Sequence, residues 1–177
     1  MSTTTMERPA EFDARMPALS SLGYRLIATT RSAGPTLARL GLGGVMFVHG
    51  AQKMLGLWGG HGFNATMHMM TTKLGIPAPF AFLAIFAEFF GAIGLITGLL
   101  TRVAAAGIAV VMIVAVAMVH RGNGFFMNWT GQQKGEGFEY HLLALALCAA
   151  LMLAGGGWAS IDRRLTMRRG RLAPPVI

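Results

Sequence analysis

The chain has 177 residues, 54% of them hydrophobic and 12% charged, with a formal net charge of +8 and a mean hydropathy of +0.55. A soluble domain carries about 25% charged residues, so this chain is too poor in charge to cover itself for water, and that class is excluded. The basic excess does not mark a nucleic-acid partner either, because the arginines sit in blocks flanking long apolar runs, where membrane topology and anionic headgroups account for them.

Residues 1–35 carry charges and prolines without an apolar core. They are expected as a partly disordered cytoplasmic arm rather than a cleavable signal peptide, with an interfacial helix from Leu19 to Arg31. Four apolar runs follow: Leu37 to Leu57, Phe80 to Leu100, Val103 to His120, and Phe138 to Ala154. Each approaches the ~20 residues that cross a ~30 Å hydrocarbon core as a helix. Helix is the required form, because lipid offers a lone strand no backbone partners and the alternation of a barrel strand is absent. The expected fold is all-α: a polytopic bundle of four transmembrane helices over residues 36–160, then a basic cytoplasmic tail, 161–177.

Arginine placement orients the bundle. Arg8, Arg15, Arg25, Arg31 and Arg39 stand at or before the start of the first span, Arg102 in a tight Thr101-Arg102 turn, and Arg163, Arg164, Arg168, Arg169 and Arg171 after the fourth. The other side holds only Lys53, Lys73, Arg121 and Lys134. The positive-inside rule therefore puts both termini and the short turn in the cytoplasm, with the membrane spanned four times. Trp58, Trp129 and Trp158 fall at span ends or in an outer loop, where indole rings prefer the interface.

Polar residues interrupt the outer halves of these spans. His49 lies about eight residues, ~12 Å, from the outer end of the first span, where a charge costs on the order of 2–3 kcal/mol. Lys53 follows one turn later, and Glu88 lies at a matching depth in the second span. Ala84, Gly91 and Ala92 share the Glu88 face, as small residues do where another helix packs closely, so the carboxylate is expected inside the bundle. On the second hairpin His120 ends the third span and Glu139 opens the fourth. His141 lies about 200° around the helix from Glu139, so only one of them faces a common site; Glu139 is assigned to it and His141 to the headgroups.

Other patterns carry less chemistry. Cys148 is the only cysteine, which excludes an internal disulfide or a redox pair, so electron chemistry needs another carrier. Met67, His68, Met69 and Met70 are ligand types suited to copper(I), but thirteen methionines in the chain favour apolar contact along a loop helix lying on the membrane; no metal site is assigned. Gly94 and Gly98 form a GxxxG that suits packing within the bundle. No phosphate loop, HExxH or GxSxG is present.

Taken in order, His49-Gly50 with Lys53, then Gly75-Ile76-Pro77, Glu88, Gly91, Gly98 and Thr101-Arg102, resemble the DoxX family. His120, the Gly137 to Tyr140 start of the fourth span and the Gly157 to Asp162 segment resemble it too, so the likeness runs over about residues 36–165. The resemblance implies a four-helix inner-membrane protein described as an oxidoreductase component. Some members are similar to the small membrane subunit of thiosulfate:quinone oxidoreductase, and others associate with superoxide dismutase and a sulfurtransferase. Some sit beside metallophore or copper-response genes, so the family does not select one reaction.

The residues and the resemblance converge on an outer-leaflet pocket that binds a quinone head and moves its protons. In that reading Glu88 or His49 acts as base, Lys53 steadies an oxyanion, and Gln52, His120 and Glu139 line the ring, while a soluble or peripheral redox partner supplies electrons. Two alternatives stand beside it: a non-catalytic scaffold or assembly factor whose polar cluster fixes helix packing, and a small-molecule or proton channel.

Overall fold

The computed structural model describes residues 21–170, and among them the secondary structure is helical throughout, without a strand. The helices are α1 (Ser21–Ile27), α2 (Gly34–Leu55), α3 (Gly62–Thr72), α4 (Ala78–Thr97), α5 (Thr101–Ala115), α6 (Glu139–Ala154) and α7 (Ile161–Gly170). Beyond α5 the same rod continues as a π-helical turn, Val116–His120, and a 3₁₀ turn, Arg121–Asn123. Most of the expected N-terminal arm, with Arg8, Arg15 and Leu19, and the end of the tail, with Arg171, lie outside the described residues.

All four expected spans fall on long helices. Two of these, Ala78–Thr97 and Thr101–Asn123, are long and apolar enough to cross a membrane, and Glu139–Ala154 is apolar but shorter. The 22-residue α2 has the length but spends it on Arg39, His49, Gln52, Lys53 and several glycines, so it is the polar rod of the set. Each long helix packs against two others, in the ring α2, α4, α5, α6 and back to α2. Their contact side is a core of small and aliphatic residues, with Met46, Ala92, Leu95, Ile108, Cys148 and Leu151 almost wholly buried. The outer surface is apolar as well: Phe86, Val110 and Leu143 are exposed, Leu143 at 68%. Large apolar side chains facing outward all round a bundle suit a hydrocarbon surrounding and not water.

Helix ends follow local chemistry. Pro35 and Pro79 stand in the first turns of α2 and α4, where a missing N–H costs nothing. Gly98 ends α4 at φ 69°, and Leu99 N–H returns to Gly94 O at 2.9 Å, closing the helix in a left-handed cap. The expected Thr101-Arg102 turn is displaced by this cap: the reversal occupies Gly98 to Leu100, and Thr101 and Arg102 already belong to α5. Leu100 takes the left-handed conformation at φ 50° and is held there from across the fold, since the Asp162 carboxylate accepts from Leu100 N–H at 2.7 Å and Thr101 N–H at 2.9 Å.

Candidate functional site

The polar residues of α2 and α4 meet because a glycine lets the two backbones touch. A Cβ built on Gly50 would lie 2.7 Å from Phe89 Cα, closer than side chains tolerate. This contact sets Lys53, one turn beyond Gly50, opposite Glu88, the residue before Phe89. Lys53 Nζ donates to both Glu88 oxygens, at 2.7 Å to Oε1 and 2.5 Å to Oε2. The two sides of the pair differ in access: the Glu88 side chain is 3% exposed and the Lys53 side chain 39%.

His49 stands one turn before Lys53 but does not join the pair. Its ring is exposed, and its ring neighbour is Tyr140 of α6, with centroids 6.3 Å apart. The expected convergence of the His49 imidazole with the Glu88 carboxylate is therefore not what the fold makes: Lys53, whose longer side chain reaches across the helix interface, takes Glu88 instead. Tyr140 is half-buried, donates its hydroxyl hydrogen to Met46 Sδ at 3.5 Å, and lies within electrostatic reach of Glu88. Gln52 turns to the loop, where its amide donates to Trp58 O at 3.1 Å. On α3, His68 and Met69 are exposed, while Met67 and Met70 are partly covered.

The second hairpin departs from expectation at its fourth-helix residues. Glu139 Oε1 accepts from Met127 N–H at 2.9 Å and Trp129 Nε1–H at 3.2 Å, so this carboxylate anchors the loop that leads from the α5 rod into α6. His141, assigned to the headgroups, is 6% exposed instead, and its Nδ1 is buried without a partner. Only one of the two faces inward, as the helical geometry requires, and it is the histidine. The reason is tertiary: the folded loop offers N–H donors that satisfy the acid, and the π turn that continues α5 brings His120 onto His141. Their centroids are 4.2 Å apart, and His120 Nδ1 lies 2.8 Å from Glu136 O. Through Tyr140, 5.6 Å from His141 and 6.3 Å from His49 between ring centroids, these rings lead to α2, whose Lys53 holds Glu88 of α4, so polar residues of α2, α4, α6 and the rod that continues α5 lie at this end of the bundle.

A second buried polar cluster occupies the opposite end. Arg39, 2% exposed, donates to Gly156 O and Leu95 O at 2.8 Å each, to Ile96 O at 2.5 Å, and to Ala159 O. Arg102 similarly binds Ala28 O and Met152 O. Read as topogenic charges in the sequence, these two arginines are also the fasteners that join α2, α4 and the segments around α6. The sequence carries no signal for this role of Arg39, because two residues inside the first span an arginine side chain still snorkels to the headgroups.

Residues 34–121, about half of the chain, match the family model described as DoxX. The match takes in α2, α3, α4 and the third long helix, and therefore Lys53, Glu88 and His120; α6, with Tyr140 and His141, lies beyond it. No curated protein and no solved structure matches the chain.

Proposed function

The chain belongs to the DoxX family of membrane proteins, and from that premise we propose that it is the membrane component of a redox system, binding a quinone beside Lys53 and Glu88. In this reading it spans a bacterial plasma membrane four times with both termini in the cytoplasm, and a soluble or peripheral partner exchanges electrons with the bound quinone. The observation that carries the reading is the one-sided access of the ion pair: a buried carboxylate holds a lysine that remains 39% exposed. A pair serving only to lock two helices has no use for an open side.

The residues present fit a quinone head. Lys53 has three N–H donors and gives hydrogen to two carboxylate oxygens, which leaves one for a carbonyl oxygen of the ring. Exposed His49 is a second proton-exchanging group one turn away, and the stacked Phe47 and Phe89 rings, 5.6 Å apart, provide apolar lining. A quinone, when bound, supplies the two-electron, two-proton exchange that no side chain of this set supplies. Glu88 takes or returns a proton as Lys53 shifts between its carboxylate and the ligand, and His49 handles the other.

The test is Glu88→Gln in membranes. Quinol-linked turnover is expected to vanish while the melting temperature falls by no more than a few degrees, and lipid extraction of the purified wild type is expected to yield quinone. Absence of both turnover and quinone in the wild type overturns the reading.

One observation favours a second reading, in which the pair only locks helices: the Gly50–Phe89 backbone contact and the two-oxygen Lys53–Glu88 bond lie together on one interface. Under it Glu88→Gln destabilises the fold strongly and no turnover exists to lose.

A further inference from the structure

Two imidazoles lie against one another where the end of the α5 rod meets α6, and the helix is rewound to put them there. The π turn Val116–His120 widens the rod near its end, a device frequent at functional positions, and His120 lands on His141 with centroids 4.2 Å apart and planes at 43°. The hydrogen-bond pattern gives each ring a direction. Glu136 O only accepts, so His120 Nδ1 carries a hydrogen toward it, and the Nε2 of the neutral ring is the accepting atom. On His141 the buried Nδ1 has no partner, in a ring only 6% exposed.

The groups around His141 are His120 from the rod that continues α5, His49 and Lys53 from α2, and Tyr140 from α6 itself, its ring 5.6 Å away. Glu139 is turned to the loop, and Glu136 presents its carbonyl on the far side of His120. The inner imidazole therefore lies against a partly exposed imidazole at the loop surface on one side, and on the other follows the ring contacts through Tyr140 to His49, one turn from Lys53.

We propose that His141 and His120 form a proton relay joining the Lys53–Glu88 site to the loop end of the bundle, with His141 the inner carrier; this rests on the reading of that site as one that takes up and releases protons. A proton leaving the site is accepted by His141 Nδ1, and the ring gives up its other N–H proton to His120 Nε2. His120 then releases its Nδ1 proton to water beside Glu136. Both rings end neutral with tautomers exchanged, and rotation of each ring restores the starting state. Uptake runs the same steps in reverse.

The experiment is ring-nitrogen NMR of the ¹⁵N-histidine-labelled full chain in lipid nanodiscs, with signals assigned by single His→Gln variants. In the wild type the His141 N–H is expected to exchange readily with water, and His120→Gln is expected to slow that exchange at least tenfold while leaving His49 unchanged. Equal His141 exchange rates in wild type and His120→Gln overturn the relay. So does a His141 ring proton that stays protected for hours in the unmodified chain, a result that needs no variant to fold. Quinol-linked turnover on the same membranes separates the relay from the reading beneath it. Wild-type membranes without turnover remove the quinone and leave the exchange data to decide the relay. Turnover that keeps its rate and pH profile in His141→Gln overturns the relay and leaves the quinone reading intact.

Discussion

The two ends of the bundle bury charge in opposite ways. At the Arg39 end, a guanidinium 2% exposed is bound by four carbonyls of α4 and of the segment after α6, and Asp162, 1% exposed, is spent on two N–H groups at the start of α5. The partners of both charges are neutral backbone, and the one buried polar atom left without a partner beside them is a hydroxyl, Thr101 Oγ1, which does not titrate. At the Lys53 end the partners are side chains that titrate, one of them half open, and a buried imidazole nitrogen has no partner. The difference teaches that burial alone does not mark a site. A charge bound by backbone is a fastener, whereas a charge bound by another ionisable group keeps a second state within reach.

Substitutions at the two ends should therefore separate stability from activity. The largest effect is expected at Arg39→Met, which strips four carbonyls of their donor and should cost about 3–5 kcal/mol, read as loss of folded protein after mild-detergent extraction. An Arg39→Met protein that melts like the wild type removes the fastener from the contrast. Next is Gly50→Ala, where the added methyl meets Phe89 backbone that cannot turn aside; about 2–3 kcal/mol is expected in thermal or denaturant melts, with the ion pair loosened as the helices part.

Within the pair the two truncations should be unequal. Lys53→Met leaves a 3% exposed carboxylate alone and is expected to cost about 1–3 kcal/mol, whereas Glu88→Gln frees a lysine that already reaches the surface and should cost under ~1 kcal/mol. Parallel melting curves decide the order, and its reversal would mean that the carboxylate has another partner. The smallest effect belongs to Leu100→Gly, which relieves a left-handed leucine at φ 50°; a gain of less than ~1 kcal/mol is expected, because glycine's added freedom in the unfolded chain offsets part of the relief.

Much of the frame was legible in the residues. Four apolar runs mark four long helices, with ends shifted by two or three residues where Pro35, Pro79 and the Gly56 and Gly98 caps act. Glu88 facing inward was legible too, from depth and from the small residues on its side of α4. What escaped depended on contacts between distant segments. The choice between Glu139 and His141 turned on the course of the loop at 121–138, and the π turn that sets His120 has no signature in VAMVH. Reading Arg39 as topology alone missed the four carbonyls waiting for it, because they come from residues 56 to 120 positions further along the chain.

By itself the order of residues determined a helical chain for an apolar surrounding, because runs of this length without charge leave the backbone no other way to meet its hydrogen bonds. It also determined that the polar side chains within those runs need company, since lipid supplies none. Which partner each one takes was decided only by the packed bundle: Lys53 for Glu88, the loop for Glu139, His120 for His141. Side-chain reach, a glycine contact between backbones and one widened helical turn are properties of the assembled tertiary structure, and no single segment contains them.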